Sequence, residues 1–113
     1  MARGNLPWSR SSPACTGPIA QIFIADTTDL GHPYAGSVAA RQRTLAADDC
    51  AGTATAVYNP GPNARIPNSA SQCLTYRGCP AAYPVVFCTT VGQAQTDEQP
   101  LAVGAFWNFF LQF

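Results

Sequence analysis

The stretch Tyr83-Pro84-Val85-Val86-Phe87-Cys88-Thr89 is the most hydrophobic in the chain, and its β-branched and aromatic residues predict a buried strand. A second apolar run, residues 19–25, is bounded by Pro18 and by Asp26-Thr27-Thr28-Asp29 and reads the same way. Between the two, a turn at Gly31-His32-Pro33 leads to Ser37, a candidate cap for a helix. Val38, Ala39 and Leu45 line one side of that helix, Arg41 and Arg43 are solvated, and it ends near Cys50-Ala51-Gly52. Residues 53–58 alternate Thr and Ala before Val and Tyr and predict another strand, followed by a Pro/Gly/Asn loop over 59–71. Residues 99–112 predict a helix, with Leu101, Ala102, Ala105, Phe106, Phe109 and Phe110 recurring at helical spacing. Strands alternating with helices imply an α/β layer with parallel pairing, covered on both faces by only two helices. Half of a doubly wound sheet is the implied object. Its inner edge would be an unpaired apolar strand that invites pairing with another chain or self-association. Residues 1–18, rich in Pro, Ser and Gly, read as a disordered lead-in to a folded region at 19–113.

An apolar fraction of 47% in 113 residues, with two Trp, four Tyr and six Phe, is enough for one real core. The six Arg are scattered and balanced by six acidic residues, which leaves no nucleic-acid footprint and no polybasic membrane patch. The apolar runs are too short to span a bilayer. With a single His and no Cys-x-x-Cys, the sequence has no metal-ligand spacing, and no motif in it calls for a cofactor.

Five cysteines, Cys15, Cys50, Cys73, Cys79 and Cys88, therefore read as disulfide formers of an oxidising compartment. Five choices of the odd cysteine and three pairings of the remainder give fifteen arrangements. Loop size mildly favours Cys73 with Cys88 or Cys79 with Cys88, without deciding between them. The leading residues Met1 to Trp8 contain no apolar signal-peptide core.

Several segments carry a family resemblance: Phe23-Ile24-Ala25-Asp26-Thr27-Thr28-Asp29, then Pro33-Tyr34, then Ala39-Ala40-Arg41 and Cys50. Further on come Cys73-Leu74-Thr75-Tyr76-Arg77-Gly78-Cys79, Tyr83-Pro84-Val85-Val86-Phe87-Cys88, the turn Gly92-Gln93-Ala94-Gln95, and Trp107-Asn108-Phe109-Phe110. Together they resemble the C-terminal part of the feruloyl esterase and polyhydroxybutyrate depolymerase group of secreted α/β-hydrolases, from about Cys15 to Phe113. The resemblance implies a partial α/β-hydrolase fold supported by disulfides among Cys50, Cys73, Cys79 and Cys88, and an extracellular origin. It puts Asp29 on the triad-acid position, with Ala25-Asp26 where the family has His-Gly. It puts Gln95 where the family carries its catalytic His.

A serine esterase needs a nucleophile on a sharp strand-to-helix turn, a His to take its proton and a carboxylate to orient that His. No Gly-x-Ser-x-Gly occurs in these 113 residues, and the six serines fall in loops or at a helix cap. Gln95 cannot act as the base, because an amide does not exchange a proton near neutral pH. The expectation is a chain inactive in isolation, with a missing N-terminal hydrolase half as its natural complement. Two other readings stand beside it: a small disulfide-stapled extracellular module that binds polysaccharide or protein, and an open reading frame with no selected function.

The bland accounts of single residues are also clear. His32 reads as a turn histidine. Asp29 is as readily a turn-capping aspartate as a relict acid. Asp97 and Glu98 read as first-turn charges of a helix. The aromatic cluster Phe106, Trp107, Phe109 and Phe110 reads as core, and Tyr76 and Tyr83 as packing beside disulfides.

Overall fold

The computed structural model describes residues 7–9, 18–29, 31, 33–93 and 99–113. Two central strands, β2 (Gln21–Asp26) and β5 (Val85–Thr90), lie parallel and in register from Gln21 opposite Val85 to Asp26 opposite Thr90. Alternation of side chains along each strand sends Ile22, Ile24, Val86 and Cys88 to one face and Phe23, Ala25, Val85 and Phe87 to the other. Helix α1 (Tyr34–Ala47) covers the Phe23 and Phe87 face through Leu45, Val38 and Ala40. Helix α2 (Gln99–Phe110) covers the opposite face with Leu101, Ala105 and Phe109, all buried. Both faces of the parallel pair are thus shielded, one helix to each.

The remaining strands extend this pair. β4 (Gln72–Tyr76) runs antiparallel to β5, and β3 (Thr55–Val57) runs antiparallel to β4. On the other side β1 (Pro7–Ser9) pairs antiparallel with β2, giving the order β1-β2-β5-β4-β3. The result is a small mixed α/β domain. Among the described residues parallel pairing therefore holds for one strand pair, and the side of β2 away from β5, which would otherwise be an open apolar edge, is paired with β1. The strand arises inside the stretch 1–18 that was expected to carry no regular structure. An apolar strand whose backbone groups face outward is a ready template, and Pro7-Trp8-Ser9 takes that place.

Local chemistry moves two other boundaries. α1 begins at Tyr34 after Pro33, whose φ of −55° is already compatible with helix entry; Ser37, expected as the cap, is buried inside the helix. The helix closes through a Schellman arrangement in which the Cys50 N–H donates to Leu45 C=O and the Asp49 N–H to Ala46 C=O, with Asp49 at φ 57°. β4 was not anticipated, because its residues show no run of apolar character. Its pairing is decided by β5 and by the disulfide between the directly opposed Cys73 and Cys88.

A second disulfide joins Cys50, just past α1, to Cys79, in the turn after β4. All four expected cysteines are bonded, one of the two favoured pairs is formed, and Cys15 lies outside the described residues. Arg41, expected in solvent, instead lays its guanidinium 4.7 Å from the Phe87 ring centroid and 5.8 Å from that of Tyr76. Ala39, expected on the packed side of α1, is exposed. Trp107 points outward, 68% exposed, whereas Phe106, Phe109 and Phe110 pack as expected. Tyr76 packs in the cluster that contains Cys50 and Cys79, while Tyr83 is exposed.

Candidate functional site at the carboxyl ends of β2 and β5

In an α/β sheet the loops beyond the carboxyl ends of parallel strands are where chemistry collects, and among the described residues β2 and β5 supply such ends. β2 ends in Asp26, fully buried. Its Oδ2 accepts from Thr90 Oγ1 at 2.6 Å and from the Gln93 N–H at 2.7 Å, both at the end of β5. Its Oδ1 accepts from the Thr28 N–H at 2.8 Å and from Thr28 Oγ1 at 2.5 Å. Burial alone would push this carboxyl up, but the hydrogen bonds from Thr28, Thr90 and Gln93 outweigh it and hold it at about 2, below the ordinary 3.8. Asp26 is therefore a fixed anion, and it ties the loop after β2 to the turn after β5.

Asp29 lies one turn further on and is also buried. Its Oδ1 accepts from the Gly31 N–H at 2.9 Å, an Asx-type turn, and its own N–H donates to Asp26 C=O at 3.3 Å. The Thr27 N–H donates to Thr90 C=O at 3.0 Å, so the whole loop is drawn against the end of β5. Gly92, at φ 74°, turns the chain after β5 in a conformation suited to glycine. Gln95, His32, Asp97 and Glu98 fall outside the described residues.

The carboxylate seen in contact with the turn that leads to Gln95 is thus Asp26, three residues before the position that the sequence pattern singled out. The signal for it was available: an aspartate directly ending a fully buried strand must find donors, and Thr28 and Thr90 are those donors.

Among the described serines, expected in loops or at a helix cap, Ser9 is in β1, Ser37 is within α1, Ser69 is in an exposed loop, and Ser71 donates to Asn68 Oδ1 at 2.7 Å while accepting the Val91 N–H at 3.2 Å. None of these stands on a strand-to-helix turn. Among the described residues no group of three or more His, Cys, Asp or Glu is placed to hold a metal ion, and no helix is long and apolar enough to cross a membrane. The arrangement can stabilise a neighbouring positive charge, such as an imidazolium; by itself it offers a carboxylate and no nucleophile. No protein-family model matches the chain, and no curated protein matches it. The two disulfides are compatible with an extracellular protein.

Proposed function

We propose that this chain is a relative of the C-terminal part of secreted serine esterases acting on feruloyl or polyester bonds, without ester hydrolysis of its own. The observation that supports the reading is the buried carboxylate at the end of β2 hydrogen-bonded to the turn after β5. That is where an α/β-hydrolase brings its acid and its histidine loop together. In this reading Asp26 is the relict acid and Asp29 shapes the loop beside it, while Gln95 stands where the imidazole is absent. The missing nucleophile and oxyanion donors belong to a complementary N-terminal half.

The test is hydrolysis of 4-nitrophenyl butyrate. The chain alone gives the buffer rate. Gln95→His mixed with a hydrolase N-terminal half bearing Gly-x-Ser-x-Gly gives a rate above either component, and adding Asp26→Asn removes it while adding Asp29→Asn does not. Hydrolysis by the unmixed wild-type chain, or complementation that survives Asp26→Asn, overturns the reading.

A second reading has its own observation. Val103, Trp107 and Leu111 recur four residues apart along the outer side of α2 and the turn that follows it, all exposed, the pattern of an apolar contact strip. A disulfide-stapled module would use that strip on a polysaccharide or protein partner. Depletion of the protein by insoluble polysaccharide, lost on Trp107→Ala and unaffected by Asp26→Asn, would favour this account over the first.

A further inference from the structure

β3 is the outermost strand beyond β4, and its free side is open among the described residues. The Tyr58 N–H donates to Cys73 C=O and the Arg77 N–H donates to Ala54 C=O, each at 2.9 Å. Ala54 and Tyr58 therefore turn their backbone groups toward β4, and so does Ala56 between them, opposite Thr75. By the same alternation the N–H and C=O groups of Thr55 and Val57 point away from the sheet. Their side chains lie on the α1 face, beside Tyr76 and Leu74, where the Val57 side chain is 83% exposed.

Natural sheets shield such an edge with charge, proline or a bulge. From Ala51 to Asn59 this chain has no charged residue and no proline. The edge is also held in place before any partner arrives. The Cys50–Cys79 bond and the Ala51 N–H to Gly78 C=O bond of 2.8 Å fix its beginning, and Cys73–Cys88 locks β4 to β5 beneath it. A partner strand thus meets a preorganised row of donors and acceptors.

We propose that β3 is a pairing edge for a second copy of this chain, antiparallel about a two-fold axis at Ala56. Placing Ala56 opposite its own counterpart sets Thr55 of each copy opposite Val57 of the other. Because these are the residues whose N–H and C=O groups point outward, each such pair exchanges both bonds, four bonds in all. The two β-branched side chains of each pair lie on the same face and cover one another, which gives the exposed Val57 a neighbour. No charged residue lies between Ala51 and Asn59 to oppose it, and the two α1 helices remain on one side of a continuous sheet. A short edge buries little area, at the low end of specific interfaces, so the association is weak and concentration-dependent.

The experiment is sedimentation equilibrium together with amide exchange over a wide concentration range, in the Cys15→Ser background so that a disulfide-linked pair is not counted. The expected result is a dimer at high concentration, with exchange at Thr55 and Val57 slowed about tenfold on going from dilute to concentrated protein. Exchange at Tyr58, bonded within the sheet, stays unchanged. Val57→Pro removes an outward N–H and spares the inward bonds of Ala54 and Tyr58; Val57→Lys sets two like charges near the axis. Both variants are expected to be monomeric with a wild-type circular dichroism spectrum. Three results overturn the proposal: a monomer throughout with fast exchange at Thr55 and Val57, protection there that is independent of concentration and so comes from the same chain, or dimers that survive Val57→Lys and are lost on Trp107→Ala.

Discussion

Asp26 and Asp48 are both buried aspartates, and they respond to pH in opposite directions. Hydrogen bonds hold Asp26 at about 2 when folded, below its ordinary 3.8, so its contribution is fully present above about pH 4 and is lost as pH falls through 2. That difference corresponds to about 2 kcal/mol. Asp26→Asn should lower the urea midpoint at pH 7 and flatten its dependence between pH 4 and 2, which titration of the midpoint measures directly. Asp48 caps the end of α1, accepts the Ile19 N–H on Oδ1 at 2.8 Å, and has its Oδ2 buried without a hydrogen bond. Burial raises this carboxyl despite the bond from Ile19. It therefore weakens the fold as pH rises from the unfolded value near 4 through its higher folded value. Asp48→Asn should remove that loss, so its stability relative to wild type increases from pH 4 to pH 7 in thermal melts. From sequence, Asp29 drew attention through a family spacing and Asp48 through nothing at all. What distinguishes Asp26 is the set of donors that reach it, Thr90 and Gln93 from sixty-odd residues away, and such partners are fixed only by strand register.

At the scale of elements, two helical glycines make opposite predictions. A Cβ on Gly36 meets nothing within 4 Å, so Gly36→Ala should stabilise α1 by about 1 kcal/mol through helix propensity. On Gly104 a Cβ would run into the backbone carbonyl of Asn63, and the loop there is further clamped by Asn108 Nδ2 donating to Pro60 and Pro62 C=O. Gly104→Ala should cost about 2 kcal/mol by displacing that loop, and urea unfolding of the two variants side by side checks the sign of each. The strands β2 and β5 and the inner face of α2 were legible because continuous or periodic apolar residues are a direct record of burial. β4 was not, since Gln72, Leu74 and Thr75 have no period of their own and form a strand only because β5 offers an edge and Cys73 finds Cys88. The start of α1 was misplaced for a similar reason: Ser37 has the chemistry of a cap, but Pro33 and the packing of Tyr34 on Phe87 begin the helix earlier. Arg41 read as solvated because its charge says so; the aromatic rings that receive it lie on β4 and β5.

The molecule as a whole is organised around one parallel strand pair with a helix on each face, and its outer strands are short. Local stability should follow that plan. In native-state hydrogen exchange, amides of Phe23, Ala25, Val86 and Cys88, which face one another across the parallel pair, should be the slowest, and those of β1 and of the Thr53 and Ala54 approach to β3 the fastest. Uniformly fast exchange would mark a chain without a stable fold, and would remove the basis for either functional reading. The α/β class was open to sequence reasoning because alternating apolar runs and a wide helical face are local properties. Strand order was closed to it, because β1, β3 and β4 are placed by edges that other strands leave free.

Both sulfur-bearing residues of the Cys73–Cys88 bridge are sealed between β4, β5 and α2, with 1% and 0% of their surface exposed. A thiolate reductant must reach a sulfur to attack it. The bridge can therefore be cut only when the sheet opens, and the moment of its cleavage dates the opening. In a reducing medium the lifetime of that bond becomes a clock for the unfolding of the molecule, while the less buried Cys50–Cys79 bond runs on a faster one.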